Sequence, residues 1–133
     1  MATEDFVYLT IQEAVKFHVL YMRAVGETRF GVFDKNLIES ALARPQHAAR
    51  YENAGLIRQA ATLCFGLIKS HPWEGGNKRT ATFLTNLFLK RNGATLIAPT
   101  SDIVAMVLAV EADKWKVDEI ESWLRMRVNR HRE

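Results

Sequence analysis

His71-Pro72-Trp73-Glu74-Gly75-Gly76-Asn77-Lys78-Arg79-Thr80-Ala81 separates two strongly apolar helical patterns, and its reading decides the fold. Before it, Ile57, Ala60, Ala61, Cys64, Leu67 and Ile68 recur on nearly every turn, which predicts a mostly buried central helix over residues 56–70. After it, Ala81, Phe83, Leu84, Leu87, Phe88 and Leu89 predict a second central helix over residues 77–91, closed by Asn92-Gly93 as a C-cap.

Outward from this pair the helical signals continue. Thr10-Ile11-Gln12-Glu13 reads as a capping box opening a helix over residues 11–25. Asp34 can cap a helix carrying Leu37, Ile38, Ala41 and Leu42, which should end near Arg44 because Pro45 disfavours a helical residue before it. A separate helical stretch is expected over residues 46–53. Residues 94–97 suit a short extended piece. Thr100 or Ser101 should cap a helix reaching Val110. Asp118 should start a last helix with Ile120, Trp123, Leu124, Met126 and Val128 on its apolar side. The expectation is an all-α fold of six to seven helices with no sheet, the glycine-rich loop lying between the two central ones.

The chain has 133 residues, the size of one domain, assigned here to residues 1–133. Its 48% hydrophobic content excludes disorder. A formal net charge of +3 suits an anionic ligand or acidic partner without pointing to nucleic acid. The single Cys64, between Leu63 and Phe65, excludes a disulfide framework and reads as a small buried hydrophobe. The N-terminal MATEDFVYLT lacks a signal-peptide pattern, and no apolar run is long enough to span a bilayer. A cytoplasmic location with no membrane association is expected.

The loop carries the chemistry. Gly75 and Gly76 let the backbone approach a ligand just before a helix start, where free N–H groups and the helix dipole favour an anion. Lys78 and Arg79 fall in the first helical turn, where the dipole disfavours cations. A bound polyphosphate is the natural compensation, with Arg79 as a two-pronged clamp and Lys78 as a point charge. Asn77 can cap the helix or hold a phosphate oxygen. His71 can accept a proton from a hydroxyl nucleophile. His18, on an apolar helix face, reads as a packed residue. His47 and Arg50 could border the cleft, and Trp115 and Trp123 suit a core or groove. Arg125, Arg127, Arg130, His131 and Arg132 form a basic C-terminal cluster that suits a solvated helix end.

The segment HPWEGGNKRTA resembles the signature of the Fic/Doc family, His-x-Phe-x-Asp/Glu/Asn-Gly/Ala-Asn-x-Arg. FLKRNG at residues 88–93 and ESALARPQ at residues 39–46 look like the Doc, death-on-curing toxin, branch. The resemblance implies a helical fold and transfer of part of a nucleotide to a protein hydroxyl. Lys78 stands where the AMP-transferring branch usually has Gly, and Thr82 where it has a second Arg, so the Doc-like phosphotransferase is favoured. By resemblance, ATP and Mg²⁺ would be the cofactors. His71 would be the general base, and Gly75, Gly76, Asn77, Lys78 and Arg79 the nucleotide site, with Arg79 also catalytic. Trp73 replaces the family's Phe. Gly75 replaces the family's metal-binding acid, leaving Glu74 as the metal candidate. The implied partners are a partly disordered antitoxin and a target protein, a translation elongation factor, with no direct nucleic-acid contact. Residues 26–33 sit where the family has a flap that docks its target. The alternatives are an AMP transferase on the same fold, or a catalytically weak nucleotide- or antitoxin-binding module.

Overall fold

The computed structural model describes residues 5–131, so Met1 to Glu4 of the N-terminal reading and Arg132 of the basic cluster lie outside the described residues. Among the described residues, six helices and one small sheet run in the order α1 (Ile11–Ala24), α2 (Lys35–Glu52), α3 (Leu56–Ser70), α4 (Asn77–Arg91), β1 (Ala94–Leu96), α5 (Thr100–Glu111), α6 (Val117–Arg125) and β2 (Val128–Arg130).

α3 is the axis. Leu56, Ile57, Ala60, Ala61, Leu63, Cys64, Leu67 and Ile68 are all buried, so every face of the helix meets protein. Buried residues from α2 (Ile38, Ala41, Leu42), α4 (Leu84, Phe88, Leu89), α5 (Met106, Val107, Val110) and α6 (Ile120, Leu124) join it in one core. Cys64 is buried as expected, and burial pushes its thiol up to about 12, which removes it from chemistry at neutral pH.

Local signals fix the ends. The Thr10 hydroxyl accepts from Glu13 N–H at 3.1 Å, and the Glu13 carboxylate accepts from Thr10 N–H at 3.0 Å, completing the capping box. Glu13 also pairs with Arg91 at the far end of α4. Asp34 caps α2 through Asn36 N–H at 2.9 Å and Leu37 N–H at 3.3 Å.

Three expectations are corrected. The break at Pro45 is absent: α2 continues through it to Glu52. Pro45 lies among buried Ile38, Ala41, Leu42 and Ala48, and burial of that whole helix face carries α2 through the local cost of the proline. The expected second and third helices are therefore one. The expectation of no sheet also fails, because β1 pairs antiparallel with β2, Leu96 opposite Val128 and Ala94 opposite Arg130. Val128 leaves the last helix to satisfy the β1 edge, and Met126, expected on the apolar side, is 83% exposed. Finally, neither Thr100 nor Ser101 caps α5. Pro99 occupies the N-cap, with no side-chain bond.

Pro45 yields a stability test. An interior proline costs about 3 kcal/mol relative to alanine, while its two extra buried carbons contribute about 1.6 kcal/mol. Pro45→Ala should therefore stabilise the protein by about 1 kcal/mol and raise Tm by about 4 °C. A lower Tm would show that packing of the ring dominates.

Candidate active site

α3 ends as Ser70 turns its hydroxyl back onto the Gly66 carbonyl at 2.7 Å. His71 then takes the left-handed conformation, with φ 48° and ψ 58°. A histidine rarely adopts this geometry, and it swings the chain out of the helix at the candidate base. Pro72 and Trp73 are buried. Their backbone is stitched to the connector before α2, because the Pro72 carbonyl accepts from Phe33 N–H at 2.9 Å and Asp34 N–H at 3.1 Å. Val32 forms an antiparallel bridge with Trp73, and Glu74 N–H donates to the Gly31 carbonyl at 2.9 Å. Residues 26–33 thus lie along the loop as a flap.

His18 locks this junction from below. Its ring is buried and stacks on Trp73 with centroids 4.1 Å apart. Gly31 N–H donates to its Nε2 at 2.9 Å, so the ring proton sits on Nδ1, 2.8 Å from the Thr80 hydroxyl of α4. The packed-residue reading of His18 holds. Trp73 Nε1 is buried with no hydrogen-bond partner among the described residues. The indole fills an anchor pocket where the family pattern has an apolar Phe.

The two glycines serve different ends. A Cβ on Gly75 would overlap the Arg29 carbonyl of the flap. The space that the side chain of an acid would enter is therefore taken by flap backbone. Gly76 forms the N-cap of α4 with φ 68°, and a Cβ there would overlap the Met22 sulfur. No side chain caps α4, and no acid lies in its first turn. Its start is polarised toward an anion.

Asn77 holds the loop itself: its side-chain oxygen accepts from Trp73 N–H at 2.9 Å, and its Nδ2 donates to the Trp73 carbonyl at 3.0 Å. Lys78 Nζ lies 3.4 Å from Glu111 Oε1, and His71 Nε2 lies 3.2 Å from Glu111 Oε2. One carboxylate at the end of α5 therefore brings the imidazole and the lysine together. Arg79 turns the other way and pairs with Glu27 of the flap, whose hydrogen bond raises the guanidinium pKa further. Glu74 is exposed, and its carboxylate makes no ion pair among the described residues. Among those residues, no group of three His, Cys, Asp or Glu gathers as a metal site.

The other candidates lie elsewhere. His47 stands against Tyr51 on α2, with ring centroids 6.0 Å apart, and Arg50 is exposed there. Arg125 pairs with Glu121, while Arg127 stacks on buried Trp123 at 4.7 Å and lies 3.4 Å from Asp102. Arg130 is exposed in β2, and His131 meets the Thr95 hydroxyl at 2.6 Å. Trp115 is half-buried beside α6.

Sequence reasoning missed Glu27 and Glu111. Glu111 did leave a signal: it is an acid in the last turn of a helix that is apolar from Ile103 to Val110, where the dipole disfavours it. That is the mirror image of the misplaced cations on α4.

The Fic/DOC family model matches residues 8–89, more than half the chain and the whole of α1 through the loop into α4. The chain belongs to the Fic/DOC family. Members of this family generally transfer AMP or phosphate to proteins. The matched segment contains the loop, its flap and both central helices, while Glu111 lies beyond it. No curated protein matches the chain. Among the described residues, no helix is long and apolar enough to cross a membrane.

Two outcomes test how the loop is held. Gly76→Ala forces a left-handed alanine, costing about 1–2 kcal/mol before Met22 moves. Tm should fall by roughly 4–8 °C in a melting experiment. Burial also lowers His18 to about 4 from an ordinary 6.5. The unfolded chain therefore takes up this proton first on acidification, so the contribution is complete above 6.5 and lost as pH falls toward 4. Urea unfolding from about pH 7 to about pH 4 should show about 2–3 kcal/mol of loss from this group, absent in His18→Gln.

Proposed function

We propose that the chain is a Doc-like phosphotransferase, the toxin of a toxin–antitoxin pair, which moves the γ-phosphate of ATP to a hydroxyl of a target protein. By resemblance that target is a translation elongation factor, modified in the cytoplasm so that translation stops. The observation that carries this reading is the pairing of His71 and Lys78 on one carboxylate at an uncapped helix start. Lys78 and Thr82 stand where the AMP-transferring branch has Gly and Arg, and Thr82 spends its hydroxyl on the Arg79 carbonyl at 3.0 Å. These differences favour a nucleotide seated with its γ-phosphate at the acceptor.

In the reaction, the His71 imidazole takes the proton of the target hydroxyl. The freed oxygen bonds to the γ-phosphorus, and the bond to the bridging β–γ oxygen breaks, releasing ADP. Lys78, Arg79 and the first N–H groups of α4 neutralise the charge on the phosphates. Mg²⁺, when bound, would screen phosphate charge, and Glu74, which makes no ion pair among the described residues, would hold it.

The ion pairs of Lys78 and Arg79 do not argue against a phosphate ligand. Both cations are about half exposed, at 56% and 46%. Exposed pairs are worth about 0–1 kcal/mol each, whereas a charge-assisted bond to phosphate contributes about 1.5–3 kcal/mol. A triphosphate would take Arg79 from Glu27 and Lys78 from Glu111 at little cost.

A second reading has a specific basis. The Arg29 carbonyl occupies the direction in which the usual acid would extend from Gly75, which favours a weak or silent member that binds nucleotide or antitoxin. The antitoxin proposed here is a partly disordered segment that orders on binding.

ATP labelled at the α or γ position, incubated with the protein and the target, separates the readings. Label should reach the target from the γ position only, and His71→Ala should lower the rate about 10²–10⁴-fold. Label from the α position would favour AMP transfer. No label from either, with ATP still bound, would favour the silent module.

A further inference from the structure

We propose that Glu111 is the positioning residue of this site: its carboxylate holds the His71 imidazole with the proton on Nε2, which makes Nδ1 the atom that receives the proton of the acceptor hydroxyl. The proton-transfer part rests on the phosphotransferase reading; the state of the ring does not.

An ionised carboxylate only accepts hydrogen bonds, so a ring nitrogen facing one must carry the hydrogen. Glu111 Oε2 faces His71 Nε2 at 3.2 Å. In neutral imidazole only one nitrogen is protonated, so the free lone pair falls on Nδ1. Nδ1 makes no hydrogen bond among the described residues, and the His71 side chain is 55% exposed, so an approaching hydroxyl can reach the ring. Among the described residues no second hydrogen bond fixes the ring, so its orientation depends on Glu111.

Glu111 is well placed for the task. Val107 and Val110 anchor the last turns of α5 in the core, and the Glu111 side chain is only 23% exposed. Lys78 Nζ lies on its other oxygen at 3.4 Å, so the resting carboxylate is held from both sides. Acid, base and phosphate-binding cation form one chain. When a phosphate draws Lys78 away, Glu111 keeps its contact with His71. The same molecule supplies a control, since His18 must carry its proton on Nδ1 because Nε2 accepts from Gly31.

Long-range nitrogen–proton correlation spectra of the full chain, taken with neutral imidazoles, test this directly. His71 should show a protonated Nε2 and a bare Nδ1, with His18 showing the reverse. Glu111→Ala should average the two forms at His71 and lower kcat about 10–100-fold, while the Kd for ATP does not weaken. Glu111→Asp should recover part of both effects. A wild-type His71 protonated on Nδ1 would overturn the proposal, and so would a Glu111→Ala protein with unchanged ring signals and kcat. The wild-type spectrum decides even if a variant fails to fold. If the ring is as expected but no phosphate is transferred, the proton-transfer role of Nδ1 falls with the phosphotransferase reading, while the hold of Glu111 on the ring stands.

Discussion

His18 joins three pieces of chain through one buried ring: the flap through Gly31, the loop through the face of Trp73, and α4 through Thr80. A buried imidazole can do this only while neutral, because one nitrogen must accept and the other donate. Burial supplies that condition by holding its pKa near 4. Everything the candidate site needs follows from this anchor. The flap carbonyls stay beside Glu74 and Gly75, Trp73 stays in its pocket, and Gly76 stays at the start of α4. Asn77 then ties both ends of the turn together through the Trp73 main chain.

On this rigid frame the protein places charges against local preference. Lys78 and Arg79 crowd the positive end of α4, and Glu111 sits at the negative end of α5. Each placement costs about 0.3–1 kcal/mol alone. The helix ends are arranged so that the misplaced charges meet one another, and Glu27 supplies the remaining partner for Arg79. Such pairs satisfy the resting protein yet are weak enough for a more highly charged ligand to replace. Local disorder in the charge pattern is how the site appears in a fold whose other signals agree with one another.

Much of this was legible in the sequence because the signals were local. The bounds of α3 and α4, the Thr10–Glu13 box, the Asp34 cap and the burial of Cys64 and His18 follow from periodicity and capping chemistry. What failed depended on distant partners. Pro45 stays helical because buried neighbours outweigh a lost bond, and Val128 is extended because β1 needs an edge partner more than thirty residues away. Within the site, the residues of the loop were readable as a group. Their division of labour was not: spacing alone could not send the Asn77 amide to Trp73, turn Arg79 toward the flap, or bring Glu111 from α5.

The proposed transfer depends most on phosphate binding at the start of α4 between Lys78 and Arg79. Calorimetric titration of ATP into the wild type, Lys78→Ala and Arg79→Ala measures it. Saturable binding that inorganic triphosphate competes away is expected, weakened about tenfold or more in each variant. Equal affinity in all three proteins, or no binding to the wild type, would contradict it.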